Sequence, residues 1–356
     1  MTEIRPFTGP HVWTGAEIGA TKRWIRDLTA EQSADLDRAI KATRGTPWDK
    51  VTKKSFPLPS FAPLVEEVRT ELEDGTGIFR VQGMPVTGYE LEDIKRMYFG
   101  VGCHIGTPMT QNRFGEMMRT ICDEGPGVGE RYGQMEDKGG AFLSSYARTK
   151  SSGELRFHTD RVDVVTLLCL GQARKGGHSK LASTCAIHNA MLARRPDLVE
   201  LLYGDYWRSR LGEEEGGDKI AYNLPVFAVR DGKFTSHYSR TYVEAAQKLP
   251  DVPKLTAKQD EALDLLAALA HELCYEMTLK PGDFQLLNNH VIYHARDPFE
   301  DDRSTGQVRM LLRLWLSMPN SRALPENHRI LWRNIEAGTL RGGIQPREGA
   351  MHAQNG

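Results

Sequence analysis

The chain has 356 residues, 46 Lys+Arg against 47 Asp+Glu, with 40% hydrophobic and 26% charged residues, so it can bury a full core and any metal it holds is functional rather than a folding aid. A net charge of -1 argues against a phosphate-backbone binder, whose affinity rests on a clustered positive surface, so no nucleic-acid partner is expected. No apolar run approaches the length of about 18 residues that a membrane helix requires, and no apolar leader follows the N-terminus.

Residues 1–28 read as irregular. Thr29 with Gln32 three residues later forms a capping box ahead of a helix to about Thr43, and helical spacing returns over 62–74 and 89–99. One strand, Gly77 to Val81, interrupts them. From Val162 the pattern changes: Val162 to Leu170 is a short apolar run rich in β-branched residues, and Leu181 to Cys185 follows a Gly176-Gly177 turn. A helix over 187–203 precedes a Gly/Glu-rich irregular insertion over 204–217, which reads as a lid or as a surface loop. Asp231-Gly232 marks a hairpin between Val226–Val229 and Phe234–His237. Thr256 and Gln259 open a second capped helix ending near Cys274. The last third supplies Met277–Leu279, a Pro281-Gly282-Asp283 turn, Phe284–Leu287, Val291–His294 and Val308–Ser317. Many short strands with inserted helices predict a mainly β barrel or sandwich carrying peripheral helices.

His158-Thr159-Asp160 is the first chemical signal, because residues i and i+2 of an extended chain share a face and can chelate one ion. Alone it is weak, since 11 His and 47 acidic residues yield about one or two H-x-[DE] strings by chance. Its company strengthens it: Pro281-Gly282-Asp283, Asn288-Asn289, His294-Ala295-Arg296, then Arg309 and Arg313. Two His and one carboxylate leave open positions on an ion, as non-haem Fe(II) oxygenases require, whereas structural zinc prefers a closed, thiolate-rich shell. On the strand to Ser317, alternation puts Arg309, Leu311, Arg313 and Trp315 on one face and Met310, Leu312, Leu314 and Leu316 on the other. His290, four residues before His294 and about 13 Å away along a strand, reads as structural. His104, Gln111 and Asn112, in a polar loop after a helix, are candidate substrate contacts, with Tyr146, Arg161 and Trp207 as weaker ones. The odd count of five cysteines, without C-x-x-C spacing, predicts reduced thiols in a cytoplasmic protein.

Together these motifs resemble the TauD/TfdA group of Fe(II)- and 2-oxoglutarate-dependent oxygenases (clavaminate synthase-like). The pattern runs in order through His158-Thr159-Asp160, Gly176-Gly177-His178-Ser179, Pro281-Gly282-Asp283, Asn289 to His294-Ala295-Arg296, and Arg309 with Arg313. The resemblance implies a double-stranded β-helix (jelly-roll) over 55–320, preceded by an N-terminal helical and irregular extension over 1–54 packed on the core. A C-terminal extension over 321–356 follows, its tail from about 340 expected to be flexible. It further implies His158, Asp160 and His294 as Fe(II) ligands, Arg309 and Ser179 on the C5 carboxylate of 2-oxoglutarate, and Arg313 on cosubstrate or substrate. Ser179 stands where the pattern more often has threonine. With O₂ as the oxidant, such an enzyme hydroxylates a C–H bond of a small anionic or zwitterionic metabolite and releases succinate and CO₂. Desaturation, epoxidation or cyclisation in natural-product biosynthesis uses the same ligands, and a zinc-dependent hydrolase is the rival outside the class. Asp160 disfavours halogenation. A homo-oligomer is left open.

Overall fold

The computed structural model describes residues 4–135, 142–210, 213 and 219–346. Two sheets carry the fold. The larger runs Ile25–Asp27, Ile78–Gln82, Phe284–Asn288, Val164–Gly171, Met310–Ser317, Thr107–Met109, with Met118–Ile121 also paired to Met310–Ser317. The smaller runs Tyr275–Met277, Ser179–Ser183, Ile292–Arg296, Leu155–His158. Within both, pairing is antiparallel except for Ile25–Asp27 against Ile78–Gln82. This is the mainly β, jelly-roll architecture with helices outside.

The alternation read on the last strand decides its two environments. Leu312, Leu314 and Leu316 are fully buried in a core shared with helices Ala62–Glu73 and Leu91–Ile105, each burial contributing about 1.5–3 kcal/mol. Leu311 and Trp315 join the other core, with Leu181, Leu287, Ile292 and helix Ala257–Leu273. Arg309 and Arg313 share that second side and are buried there, not facing water.

Both capping boxes form as expected, opening Ala30–Thr43 and Ala257–Leu273. The Asp231-Gly232 hairpin turn has φ of 52° and 77°, the paired left-handed conformation that suits a two-residue turn. Several expectations are corrected. Residues before 28 are not all irregular: Thr14 and Glu17 cap a short helix, Gly15–Gly19, and Ile25–Asp27 adds an edge strand. The helix expected over 187–203 is two helices, Thr184–Arg194 and Pro196–Leu202, because Pro196 lacks the N–H and crowds the preceding turn. Five of the fourteen residues of the expected loop over 204–217 form a strand, Asp205–Ser209, paired with Ala221–Pro225; most of the remainder lies outside the described residues.

The tail expected to be loose from about 340 is packed through Ile344. Arg341 is buried against Asp163, its Nε donating at 2.7 Å. Gly343 N–H donates to Arg161 O at 2.8 Å and Ile344 N–H to Thr110 O at 2.9 Å. Glycine composition suggested looseness, but Gly342 and Gly343 have positive φ that lets the backbone lie close on its neighbours. All five cysteines are free, and no helix among the described residues is long and apolar enough to cross a membrane.

Candidate metal centre and its flanking cavities

Strands Leu155–His158 and Ile292–Arg296 pair so that His158 and His294 are direct cross-strand partners, which brings their ring centroids to 4.2 Å. The strand ends at His158. Asp160 therefore reaches the same point not by strand alternation, as the sequence suggested, but by a turn held from outside. Thr159 N–H donates to Tyr238 O at 2.9 Å, Asp160 N–H donates to Asn289 Oδ1 at 3.0 Å, and Asn289 Nδ2 donates to Val162 O at 3.0 Å. Asp160 Oδ1 then lies 3.9 Å from His158 Nε2, and Oδ2 lies 3.8 Å from His294 Nε2. One atom from each residue falls within 4.8 Å of the others.

The electrostatics favour the deprotonated donors a cation needs. Burial pushes both imidazoles below their ordinary range, His294 to about 3. Burial works against the Asp160 carboxylate, but Arg313, His294, His158 and the Trp315 N–H together hold its pKa below the usual value. His158 Nδ1 is 2.8 Å from Arg156 O; as a donor there it leaves Nε2 as the ligand atom.

The two arginines of the last strand part company. Arg313 Nη1 lies 3.3 Å from Asp160 Oδ2, which also accepts from Trp315 Nε1 at 3.0 Å. Arg313 Nε donates to Gln111 Oε1 at 2.8 Å, and Gln111 Nε2 returns a bond to Arg313 O at 2.9 Å. Arg309 instead lines a separate cavity of about 480 Å³ with Ser179 and Gly177. Its backbone N–H donates to Asp301 Oδ1 at 2.8 Å and its Nε to Gly177 O at 3.4 Å, while Nη1 is buried without a partner. Burial pushes this guanidinium down to about 10. An unused donor on a buried guanidinium suits a carboxylate, which it can meet with a forked pair of hydrogen bonds.

The model of the taurine catabolism dioxygenase TauD, TfdA family matches residues 23–315. The chain belongs to the TauD/TfdA family. It is thus a non-haem iron, 2-oxoglutarate-dependent oxygenase, with Fe(II), 2-oxoglutarate and O₂ as its cofactors and a small molecule as its substrate. It is 32% identical to FR-33289 synthase of Streptomyces rubellomurinus (strain ATCC 31215), over 91% of this chain and 95% of that protein. It is 28% identical to the taurine hydroxylase-like protein SAT17 of Stachybotrys chartarum (strain CBS 109288 / IBT 7711), over 85% of this chain and 77% of that one. The fold resembles that of an asparagine oxygenase solved with Fe(II), 3-hydroxyasparagine and succinate, with a TM-score of 0.62, 16% identity and coverage of 89% and 100% of the two chains. It also resembles the non-haem iron oxygenase OrfP with Fe and α-ketoglutaric acid, with a TM-score of 0.58, 15% identity and coverage of 82% and 93%.

Among the weaker candidates for this oxygenase's substrate site, Gln111 and Arg161 line a cavity that also includes His158, Asp160, Arg313 and Trp315. His104, Asn112 and Trp207 do not. His104 ends a helix and its Nε2 meets Phe56 O at 2.8 Å, within the outer layer. Asn112 caps its own loop, accepting from Phe114 N–H and Glu116 N–H. Trp207 packs outward against Ala221, Ala246 and Val252, because strand alternation in Asp205–Ser209 turns it away. Tyr146 lies beside the cavity, under the guanidinium of Arg119. His290 bonds Asp163 and Thr235 and is not among the donors that converge with His158, Asp160 and His294. The sequence reading missed Arg119, whose strand Met118–Ile121 is too short to show a pattern; only its register against Met310–Ser317 brings it in.

Proposed function

We propose that His158, Asp160 and His294 hold Fe(II), and that Arg309 with Ser179 receives the C5 carboxylate of 2-oxoglutarate. In this reading the enzyme hydroxylates a C–H bond of a small anionic or zwitterionic metabolite, releasing succinate and CO₂. The observation that carries it is the convergence of three deprotonated donors within 4.8 Å, together with a buried guanidinium, Arg309, whose Nη1 is unused in the separate cavity it shares with Ser179. Bound Fe(II) with its 2-oxo acid supplies the activation of O₂. The chain's own residues supply the setting. Arg156 O orients His158, Asn289 holds the Asp160 backbone N–H, Trp315 fixes the Asp160 carboxylate, and Arg313 with Gln111 holds its charge in place. The five unpaired cysteines support a cytoplasmic setting. A relative named as a synthase supports the second reading within the class, desaturation, epoxidation or cyclisation in a biosynthetic route.

The test is an anaerobic titration of metal-free protein with Fe(II) and then 2-oxoglutarate, monitored by the weak visible band of a chelated 2-oxo acid. The band is expected, is expected to vanish in His294→Ala, and is expected to need at least tenfold more 2-oxoglutarate in Arg309→Ala. Folded protein without a band, or succinate release that survives His158→Ala, overturns the assignment; tight zinc with oxygen-independent turnover then points to the hydrolase.

A further inference from the structure

The cavity beside the triad contains a cation that the scheme above does not use. Arg119 stands directly opposite Arg313 in the register of Met118–Ile121 against Met310–Ser317. Like charges facing one another on paired strands repel. Arg313 is relieved by Asp160 and Gln111 at hydrogen-bond distance, whereas Arg119 has only a loose ion pair with Glu116. It is 4% exposed. Its Nη2 donates to Thr149 Oγ1 at 3.2 Å, while its buried Nε has no hydrogen-bond partner. The nearest carboxylate, Glu116, is 3.9 Å from that Nε and accepts instead from Tyr146 Oη at 3.1 Å. The Tyr146 ring lies 3.5 Å from the guanidinium and fixes its plane. Burial, with Arg313 next, pushes the Arg119 pKa down to about 10. Glu213 lines the same cavity, but its carboxylate receives Tyr242 Oη at 3.2 Å.

We propose that Arg119 anchors the acid head group of the substrate, a carboxylate, sulfonate or phosphonate oxyanion, in the cavity between itself and the triad. This rests on the oxygenase reading and names the substrate end that the site grips. The cavity's free volume of about 40 Å³ holds about three water-sized groups, the size of a head group and not of a whole metabolite. Neighbouring strands lie about 4.8 Å apart, and Arg313 on the adjacent strand already touches Asp160. The oxidised carbon therefore lies within a few bonds of the acid group, and Arg119 determines which acids are accepted.

The experiment uses protein loaded anaerobically with Fe(II) and 2-oxoglutarate, so that the visible band first reports the cosubstrate complex. Propionate, propanesulfonate and propylphosphonate are then titrated separately, following the band and the fluorescence of the protein, in which Trp315 lines the cavity. At least one of the three is expected to bind wild-type protein. Arg119→Gln should weaken that binding at least tenfold with the band unmoved in the absence of anion. Arg119→Lys, which keeps charge and bulk, should bind with intermediate affinity and alter the ranking of the three acids, because the planar fork is lost. It decides the matter alone if Arg119→Gln does not fold. A missing wild-type band sinks the oxygenase reading and this proposal with it. A normal band with no anion binding, or with binding and ranking indifferent to Arg119, sinks this proposal alone.

Discussion

Asn289 makes no contact with substrate or cosubstrate in the assignment above, yet it sets the position of Asp160, one of the three proposed metal ligands. Its Oδ1 takes the Asp160 N–H and its Nδ2 bonds Val162 O, closing the turn that replaces strand geometry after His158. Partners of this kind commonly contribute about 10–100-fold to metal affinity. Asn289→Ala is accordingly expected to weaken Fe(II) binding in that range in a competition titration against a chelating dye. Unchanged affinity would show that backbone bonds, such as Thr159 N–H to Tyr238 O, suffice to hold the turn.

At the scale of elements, the Gly176-Gly177 turn links the smaller sheet to the Arg309 cavity. Gly177 has φ of 72° and a Cβ there would come 2.9 Å from Arg309 Cδ and 3.0 Å from its Nε. Alanine at this position is strained in backbone and displaces the guanidinium. Gly177→Ala should raise the 2-oxoglutarate concentration needed for half-saturation about tenfold while leaving Fe(II) affinity near wild type, read by the same band titration. The last strand offers a stability counterpart. Leu314 is fully buried in the core beneath the helices, so Leu314→Ala should cost about 2–5 kcal/mol in urea unfolding.

The molecule as a whole is closed by its C-terminal arm and by buried uncharged histidines. Asp163 accepts from Arg341 Nε at 2.7 Å, His290 Nε2 lies 2.9 Å away, and Met318 N–H donates at 3.0 Å. Arg341→Met leaves a buried carboxylate short of its cation and should destabilise the fold by about 3–5 kcal/mol, measured by urea unfolding. Burial lowers the pKa of His11 and His188 to about 4 and of His328 to about 3. Their folded values lie below the ordinary 6.5, so the unfolded chain takes up protons first. The stability they support is complete above pH 6.5 and is lost as pH falls towards 4, by up to about 1.4 kcal/mol per unit per histidine. The urea midpoint of metal-free protein should therefore drop steeply over that window; a flat profile would mean these imidazoles titrate normally.

Much was legible in the sequence because it rests on local chemistry. Thr29 and Thr256 announce their helices through a capping partner three residues on, Asp231-Gly232 announces its hairpin, and the Arg/Leu alternation to Ser317 announces a strand with two unlike faces. The residue types of His158, Asp160 and His294 likewise pointed to one cluster, and their donor atoms do converge within 4.8 Å. Tertiary structure alone decided what depends on register and on distant partners. Asp160 is aimed by Asn289, 129 residues away, and Arg313 is spent on that aspartate while Arg309 keeps a donor free. Arg119 enters the site only because its short strand pairs with the last one. His104 and Trp207 leave it because a helix end and a strand face turn them into the outer layers. Local sequence sets which way a side chain points within its own element; which neighbour that direction meets is settled only when the sheets pair and the arms close.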